Sequence, residues 1–115
     1  MIRNTGGRVT SGVFRDLAII DAFAANWPGD RQLDLLVIHH TECGMARLLE
    51  PDIQSHLSAK LGTGLNEVAS LAISEPTVSV RADIERLRNS TLTSDKITVT
   101  GYVYDVKQGK IAKVE

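Results

Sequence analysis

The sequence has 115 residues, enough for one domain with a hydrophobic core and too few for two. Hydrophobic residues make up 43% and charged residues 23%, which argues against disordered, collagen-like and coiled-coil classes. A formal net charge of -1 and an aromatic content of 4% argue against electrostatic nucleic-acid binding and against a stacking platform for single strands.

The cysteine count and the first residues bear on the cellular compartment. Cys43 is the only cysteine, so an internal disulfide is excluded and a reducing, cytoplasmic compartment is expected. No apolar run approaches the roughly 20 residues that a membrane span needs. Residues 1–15 contain three arginines and no acidic residue, a composition that also resembles a mitochondrial transit peptide and leaves that compartment as a minor alternative.

The first predicted element is a helix that begins near Thr10 or Ser11, because a short hydroxyl accepts a hydrogen bond from a free amide at a helix start. Apolar residues then recur at helical spacing, at Val13, Leu17, Ile20 and Ala24. Composition predicts a loop over residues 26–30.

A nearly continuous apolar run over residues 33–39 predicts a strand. The absence of clean alternation indicates burial on both faces, as in parallel sheets that helices cover. Helices are expected after it over residues 46–50, 52–61, 66–72 and 76–89, the second beginning at Pro51 and the last facing inward with Val80, Ile84 and Leu87.

The C-terminal part of the sequence predicts two strands. Residues 96–104 alternate between apolar and polar side chains, which indicates a half-exposed strand, and residues 107–110 form a hairpin turn with Gly109. A returning strand follows over residues 111–114. The order of elements predicts a single α/β domain with one antiparallel edge.

The motif His40-Thr41-Glu42-Cys43 directly follows the carboxyl end of the predicted buried strand, where open α/β sheets bind ligands. An imidazole and a thiolate three residues apart can reach one Zn²⁺ from a single loop, since zinc accepts both ligand types. Gly44 would let the backbone turn closely around such a site. By itself the motif is also compatible with an inert buried cysteine, or with a Cys/His nucleophile pair.

Two segments taken together resemble the β-class carbonic anhydrases. Residues 36–45, which contain the His-Thr-Glu-Cys motif, are similar to one part of that family, and Ile2-Arg3-Asn4-Thr5-Gly6-Gly7 resembles its Arg-Asn-Ala-Gly-Gly segment with Thr5 replacing alanine. Residues 15–19 resemble the family's next helix in position and residue type, and the C-terminal hairpin resembles the family's final hairpin. The resemblance implies a three-layer α/β fold with a small mostly parallel sheet, helices on both faces and an antiparallel C-terminal hairpin.

The resemblance also implies a function. In that family one Zn²⁺, held by two cysteines and one histidine, activates water for the reversible hydration of CO2 to bicarbonate, a lyase reaction. The resemblance assigns His40 and Cys43 as two ligands of one zinc ion per chain, whereas strand alternation turns His39 away. It implies a homo-oligomer, while charge and hydropathy predict binding to neither nucleic acid nor membrane. The resemblance places near the site Gly44, Arg3, Asn4, Gly6 and Gly7.

The family's other ligand lies in a Cys-x-Asp-x-Arg motif that these 115 residues do not contain. The resemblance therefore predicts an N-terminally truncated member, an incomplete domain over residues 1–115, that lacks a thiolate ligand, the Asp–Arg pair and the first central strand. A third ligand could come from His56 or Glu42, although His56 is expected on a helix surface and Glu42 is expected to point outward.

Three hypotheses remain open at this level. The chain is an impaired zinc-dependent carbonic anhydrase, or it is a catalytically inactive zinc-binding or interaction domain that pairs with itself or with a complete homologue. The third hypothesis is an internal start within a full enzyme, whose upstream DNA would encode Cys-x-Asp-x-Arg.

Overall fold

The computed structural model describes residues 1–26 and 32–115. The predicted loop over residues 26–30 lies outside this part of the chain, apart from Asn26. The elements are, in chain order, α1 (Ser11–Ala24), β1 (Leu33–His40), α2 (Pro51–Leu61), α3 (Leu65–Ser70), α4 (Pro76–Arg88), β2 (Ile97–Asp105) and β3 (Lys110–Lys113). Two short 3-10 segments cover Thr5–Gly7 and Gly44–Leu49.

The three strands form one mixed sheet in the order β1-β2-β3. β1 runs parallel to β2 with Leu33 opposite Ile97 and His40 opposite Tyr104. β3 returns antiparallel to β2 after a tight turn in which Gly109 has a φ of 64°. The small mixed sheet and its C-terminal hairpin confirm the predicted α/β class.

The hydrophobic core lies between the sheet and two helices. Val80, Ile84 and Leu87 of α4 are fully buried, as predicted, and they pack in one cluster with Val13 and Leu17 of α1 and with Val37, Ile97 and Val99 of the sheet. Gly101 of β2 lies under α4, where an added Cβ would collide with the side chains of Val80 and Ile84. Glycine therefore lets the helix approach the sheet closely.

β1 differs from its prediction. Val37 and His39 are buried on the α4 face, but Leu36 and Ile38 on the opposite face are 48% and 43% exposed. The prediction of a strand buried on both faces is wrong here, and in the described part of the chain helices cover one face of the sheet, not both. A continuous apolar run shows that a strand needs cover, but it does not show that the same chain provides it.

The predicted helix boundaries agree with the structure to within a few residues. Pro51 and Pro76 begin α2 and α4, and Gly62 ends α2 with a φ of 66°. Thr10 is the N-cap residue of α1 without a side-chain capping bond, and Ile20, one of the apolar residues at helical spacing, is exposed. No helix among the described residues combines the length and the apolar character needed to cross a bilayer.

Candidate functional site

The His40–Cys43 loop lies at the carboxyl end of β1 and is fastened to β2. The backbone N–H of Thr41 donates to the carbonyl of Tyr104 at 2.9 Å. In return, the Thr41 hydroxyl accepts a hydrogen bond from the backbone N–H of Val106 at 3.0 Å. Two bonds across the sheet thus hold the loop at the strand end, which is the edge where ligands bind in open α/β sheets.

The ring of His40 is oriented by the backbone. Its Nδ1 lies 2.7 Å from the carbonyl oxygen of Thr41. A carbonyl accepts only from a protonated nitrogen, so Nδ1 carries the hydrogen and the neutral ring has its lone pair on Nε2. Metal-ligating histidines usually show this arrangement, with one nitrogen donating to an oxygen and the other free for the metal.

Cys43 has a half-buried side chain beside the start of the Gly44–Leu49 segment. Its Sγ accepts a hydrogen bond from the backbone N–H of Met45 at 3.5 Å. This bond fixes the orientation of the sulfur, and a cysteine sulfur is a ligand that zinc accepts. The donor chemistry of His40 and Cys43 therefore fits zinc.

The other two candidate ligands lie elsewhere. The carboxylate of Glu42 is 3.2 Å from the ammonium group of Lys107 on the hairpin, and His56 is exposed on α2. Among residues 1–26 and 32–115, no three His, Cys, Asp or Glu side chains are grouped so that they could hold a metal ion. The described residues thus contain no group of three protein ligands, the number that a catalytic zinc usually has.

The Arg-Asn-x-Gly-Gly segment packs against residues that flank this loop, Ile38 before it and Met45 after it. Gly6 has a φ of 74°, and an added Cβ would lie 2.8 Å from Cγ of Met45. Gly7 has a φ of 69°, and an added Cβ would lie 2.7 Å from the carbonyl oxygen of Ile38. Both positions combine a positive φ with a close contact, so both require glycine.

Asn4, Arg3 and Gly44, the other residues predicted near the site, make few contacts with it. Asn4 donates from Nδ2 to the carbonyl of Arg8 at 2.7 Å, whereas Arg3 is exposed and donates to Sδ of Met1. Residues 2–4 form no strand. A Cβ added at Gly44 would meet no atom within 4 Å, so packing within the described chain does not require glycine there.

A buried ionic network that the sequence patterns did not reveal supports the site. The guanidinium of Arg8 makes two hydrogen bonds of 2.8 Å to the two carboxylate oxygens of Asp83, which is 0% exposed. The backbone N–H of Val9 donates to the same carboxylate at 3.1 Å. These bonds fasten the N-terminal segment to α4.

His39 joins this network from β1. It is 1% exposed, with Nε2 at 3.4 Å from a carboxylate oxygen of Asp83 and Nδ1 at 2.7 Å from the hydroxyl of Ser79. Nε2 also lies 3.2 Å from the carbonyl of Gly7. His39 therefore faces the core while its neighbour His40 lies on the other face of β1, as strand alternation predicts.

The network keeps Asp83 ionised. Burial alone raises the pKa of the carboxyl, but hydrogen bonds from His39, Arg8 and the Val9 backbone outweigh it and lower the pKa from 3.8 to about 2. One signal in the sequence could have revealed the network: Asp83 interrupts the inward stripe of Val80, Ile84 and Leu87. A charge on an apolar helix face needs a buried partner.

These features define a class of protein: an α/β domain that presents a histidine and a cysteine, suited to zinc, at the carboxyl end of a parallel strand. Comparison with known proteins narrows this class. The chain is 30% identical over 115 residues to β-carbonic anhydrase 1 of Mycobacterium tuberculosis, covering 99% of this chain and 66% of the relative. No family model matches the chain.

Two further comparisons also find proteins that are similar to this chain over nearly all of its length. The crystal structure of carbonic anhydrase from Streptococcus mutans has a TM-score of 0.76 and 32% identity, covering 99% of this chain and 65% of the other. Carbon disulfide hydrolase of Acidianus sp. (strain A1-3) is 25% identical over 135 residues, covering 96% of this chain and 63% of the relative. The chain is β-carbonic anhydrase-like in sequence and fold, and it spans just under two thirds of the curated relatives' length.

Proposed function

We propose that this chain provides part of the zinc site of a β-carbonic anhydrase, which hydrates CO2 reversibly to bicarbonate, and that this activity is impaired in the 115 residues alone. The observation that carries the proposal is the His40–Cys43 loop, with Nε2 of His40 free, in a chain homologous to these enzymes over 99% of its length. The oriented imidazole and the hydrogen-bonded sulfur are a donor pair suited to zinc.

Each side chain has a defined part in this proposal. His40 would hold the metal through Nε2 while the Thr41 carbonyl fixes its ring, and Cys43 would bind through Sγ, which the Met45 N–H orients. When bound, Zn²⁺ lowers the pKa of water toward neutrality and polarises a substrate oxygen. Gly6 and Gly7 pack against Met45 and Ile38, the residues that flank the loop.

Impairment follows from the number of ligands. Catalytic zinc sites usually have three protein ligands and one open position, and the described residues contain no group of three His, Cys, Asp or Glu side chains that could hold a metal. A site with fewer ligands binds zinc more weakly and fixes its geometry less well. The Asp–Arg pair that the resemblance implies for the complete site also has no counterpart in this sequence.

A second candidate function is a non-catalytic domain that pairs with itself or with a complete homologue. The observation that favours it is the exposure of Leu36 and Ile38 on a strand that, among residues 1–26 and 32–115, pairs along one edge only. Monomeric proteins rarely leave such a strand uncovered, because it offers a template for pairing.

Zinc content tests the ligand assignment. Zinc per chain is measured by inductively coupled plasma mass spectrometry for the wild type, His40→Ala, Cys43→Ala and His56→Ala. The wild type and the matched control His56→Ala should retain the same amount of zinc, and the other two variants should lose it. Zinc retained after both His40→Ala and Cys43→Ala would overturn the assignment.

Catalysis is tested separately by stopped-flow CO2 hydration with zinc supplied. The expected wild-type rate is low but above that of His40→Ala. Equal rates for the two proteins would exclude the hydratase function. Carbon disulfide serves as a second substrate, because one relative is named a hydrolase of that compound.

A further inference from the structure

Glu42 has a strained backbone. Among residues 1–26 and 32–115 it is the one residue other than glycine with a positive φ, at 54°. Side chains disfavour this conformation, because the Cβ atom crowds the following carbonyl oxygen. Such strain persists only where the surroundings hold it, and it concentrates at functional sites. Glu42 lies between His40 and Cys43, so the strained turn separates the two residues assigned to zinc.

Three contacts from the end of β2 and the turn after it hold this part of the loop. The backbone N–H of Thr41 donates to the Tyr104 carbonyl at 2.9 Å. The backbone N–H of Val106 donates to the Thr41 hydroxyl at 3.0 Å. The ammonium group of Lys107 lies 3.2 Å from a carboxylate oxygen of Glu42. All three partners come from one short segment, so the contacts form or break together.

We call this segment, residues 104–107, the hairpin clamp. Asp105 fixes its shape, because one carboxylate oxygen accepts from the backbone N–H groups of Lys107 and Gln108 at 2.9 and 3.1 Å. The carbonyl of Asp105 also accepts from the N–H of Gly109 at 2.8 Å. An aspartate that binds the amides following it is a common way to fix a turn. The clamp therefore offers preformed partners to the loop.

Thr41 connects the clamp to the ring of His40. Its N–H and its hydroxyl bond to the clamp, and its carbonyl accepts the hydrogen of Nδ1 of His40 at 2.7 Å. The same peptide group continues into Glu42. A rotation of that peptide group would therefore change φ of Glu42 and turn the carbonyl away from the ring. The hydrogen bond at one ring nitrogen sets the tautomer, so release of the loop would free the tautomer.

We propose that the hairpin clamp holds the His40–Cys43 loop in its metal-binding conformation, with Thr41 and Glu42 as positioning residues, and that the clamp and a bound metal stabilise each other. The inference deepens the proposed zinc site and rests on it. A site that is competent for a fraction of the time binds its ligand more weakly by that fraction. The coupling is reciprocal, so metal binding must stabilise the clamp by the same factor.

The contacts differ in strength. The side chains of Lys107 and Glu42 are 76% and 56% exposed, so the ion pair contributes less than about a threefold effect. The neutral hydrogen bond to the Thr41 hydroxyl contributes about two- to fivefold. Loss of both should raise the Kd for a metal at least about fivefold.

The test compares the wild type with Thr41→Val, Lys107→Met and the double variant. The matched controls are Thr98→Val and Lys113→Met, because Thr98 is exposed near the start of β2 and Lys113 is exposed on β3. The Kd for Co²⁺ is measured by visible absorption, since Co²⁺ accepts the same nitrogen and sulfur ligands as zinc and is coloured. Circular dichroism checks that every variant folds.

Two readouts need no metal. Long-range ¹⁵N–¹H NMR of the histidine-labelled protein at pH 9 reports the ring tautomers. His40 should carry its hydrogen on Nδ1 in the wild type and populate both tautomers in the double variant, whereas His39 should not change. The rate at which iodoacetamide alkylates Cys43 should rise at least about fivefold. Thr41→Ser keeps the hydroxyl and should retain the wild-type values.

Reciprocity is tested by hydrogen exchange. Saturating Zn²⁺ should slow the exchange of the Val106 amide in the wild type about fivefold, because metal binding favours the clamped loop. The amide of Ile97 bonds to the Ser94 carbonyl at the far end of β2, and its exchange should not change.

Other results would overturn the proposal. An unchanged Kd for Co²⁺ or an unchanged His40 tautomer in the double variant would remove the role of the clamp and leave the zinc site intact. An equal loss of affinity in Thr98→Val or Lys113→Met would identify general destabilisation as the cause. Failure of the wild type to bind Co²⁺ would instead remove the proposed zinc site, and the inference with it.

Discussion

Asp83→Asn removes one negative charge from the buried network while nearly preserving the shape of the side chain. In the wild type the carboxylate accepts two hydrogen bonds from Arg8 and one from the backbone of Val9. After the substitution, the buried guanidinium keeps the carbonyl of Ala72, at 2.9 Å, and one neutral amide oxygen at position 83 as acceptors, and no negative charge. The variant therefore leaves a positive charge in the core without its counter-ion.

The expected loss of stability is large. Breaking a buried ion pair by removing one partner costs about 3–5 kcal/mol, because the other charge stays desolvated. The pKa of Asp83, lowered from 3.8 to about 2, independently corresponds to about 2 kcal/mol of preference for the ionised form. We expect a decrease of about 3 kcal/mol in the free energy of unfolding, a large fraction of the roughly 5–15 kcal/mol typical of a domain.

The same ion pair predicts a pH dependence. The pKa of Asp83 is lower in the folded state, so its ionisation stabilises the fold above about pH 4, and this contribution is lost as the pH falls toward 2. Between pH 5 and pH 3 the wild type should lose about 1 kcal/mol from this group. Asp83→Asn should not show that part of the loss.

Urea unfolding followed by circular dichroism at pH 5 and pH 3 measures both effects. Glu85→Gln is the matched control, because Glu85 is exposed on the same helix, and its effect should stay within about 0.5 kcal/mol. Arg8→Met combined with Asp83→Asn should regain much of the loss, since no buried charge remains unpaired. A decrease below about 1 kcal/mol in Asp83→Asn, or an unchanged pH dependence, would refute the reasoning.

Two packing predictions use the same unfolding assay. Gly101→Ala should lower the free energy of unfolding by about 1–3 kcal/mol, because the added methyl collides with α4. The control Gly44→Ala should have little effect on that free energy, because the surroundings of Gly44 are open. Equal effects of the two substitutions would contradict the close packing of α4 on Gly101. Leu87→Ala should cost about 2–5 kcal/mol, since Leu87 is fully buried. Its control Leu92→Ala, at an exposed position, should stay within about 0.5 kcal/mol, and a similar loss at both positions would argue against the assigned core.

Local patterns in the sequence located most elements. Proline at the first turn and glycine after the last turn gave the limits of α2, and helical spacing gave the inward face of α4. Alternating apolar and polar side chains predicted β2, and Gly109 predicted the hairpin turn after it. These features depend on neighbours a few residues apart, so the chain itself displays them.

The ionic network could not be found in this way. Arg8 and Asp83 are 75 positions apart, and only the packing of the N-terminal segment on α4 brings them together. Tertiary packing also places Gly6 and Gly7 against Met45 and Ile38, which flank the His40–Cys43 loop, although the two motifs are more than thirty positions apart. The resemblance to a family implied that proximity, and residue patterns alone did not.

The sequence by itself determined the local elements, the position of the histidine–cysteine loop after a strand, and the opposite directions of His39 and His40. Tertiary structure alone decided which face of β1 is covered, which nitrogen of His40 is free, and where Glu42 and His56 lie. The physical reason is that hydrophobicity and backbone geometry act over a few residues. The burial of a face, the choice of a ring tautomer and the partner of a charge depend on residues that only folding brings together.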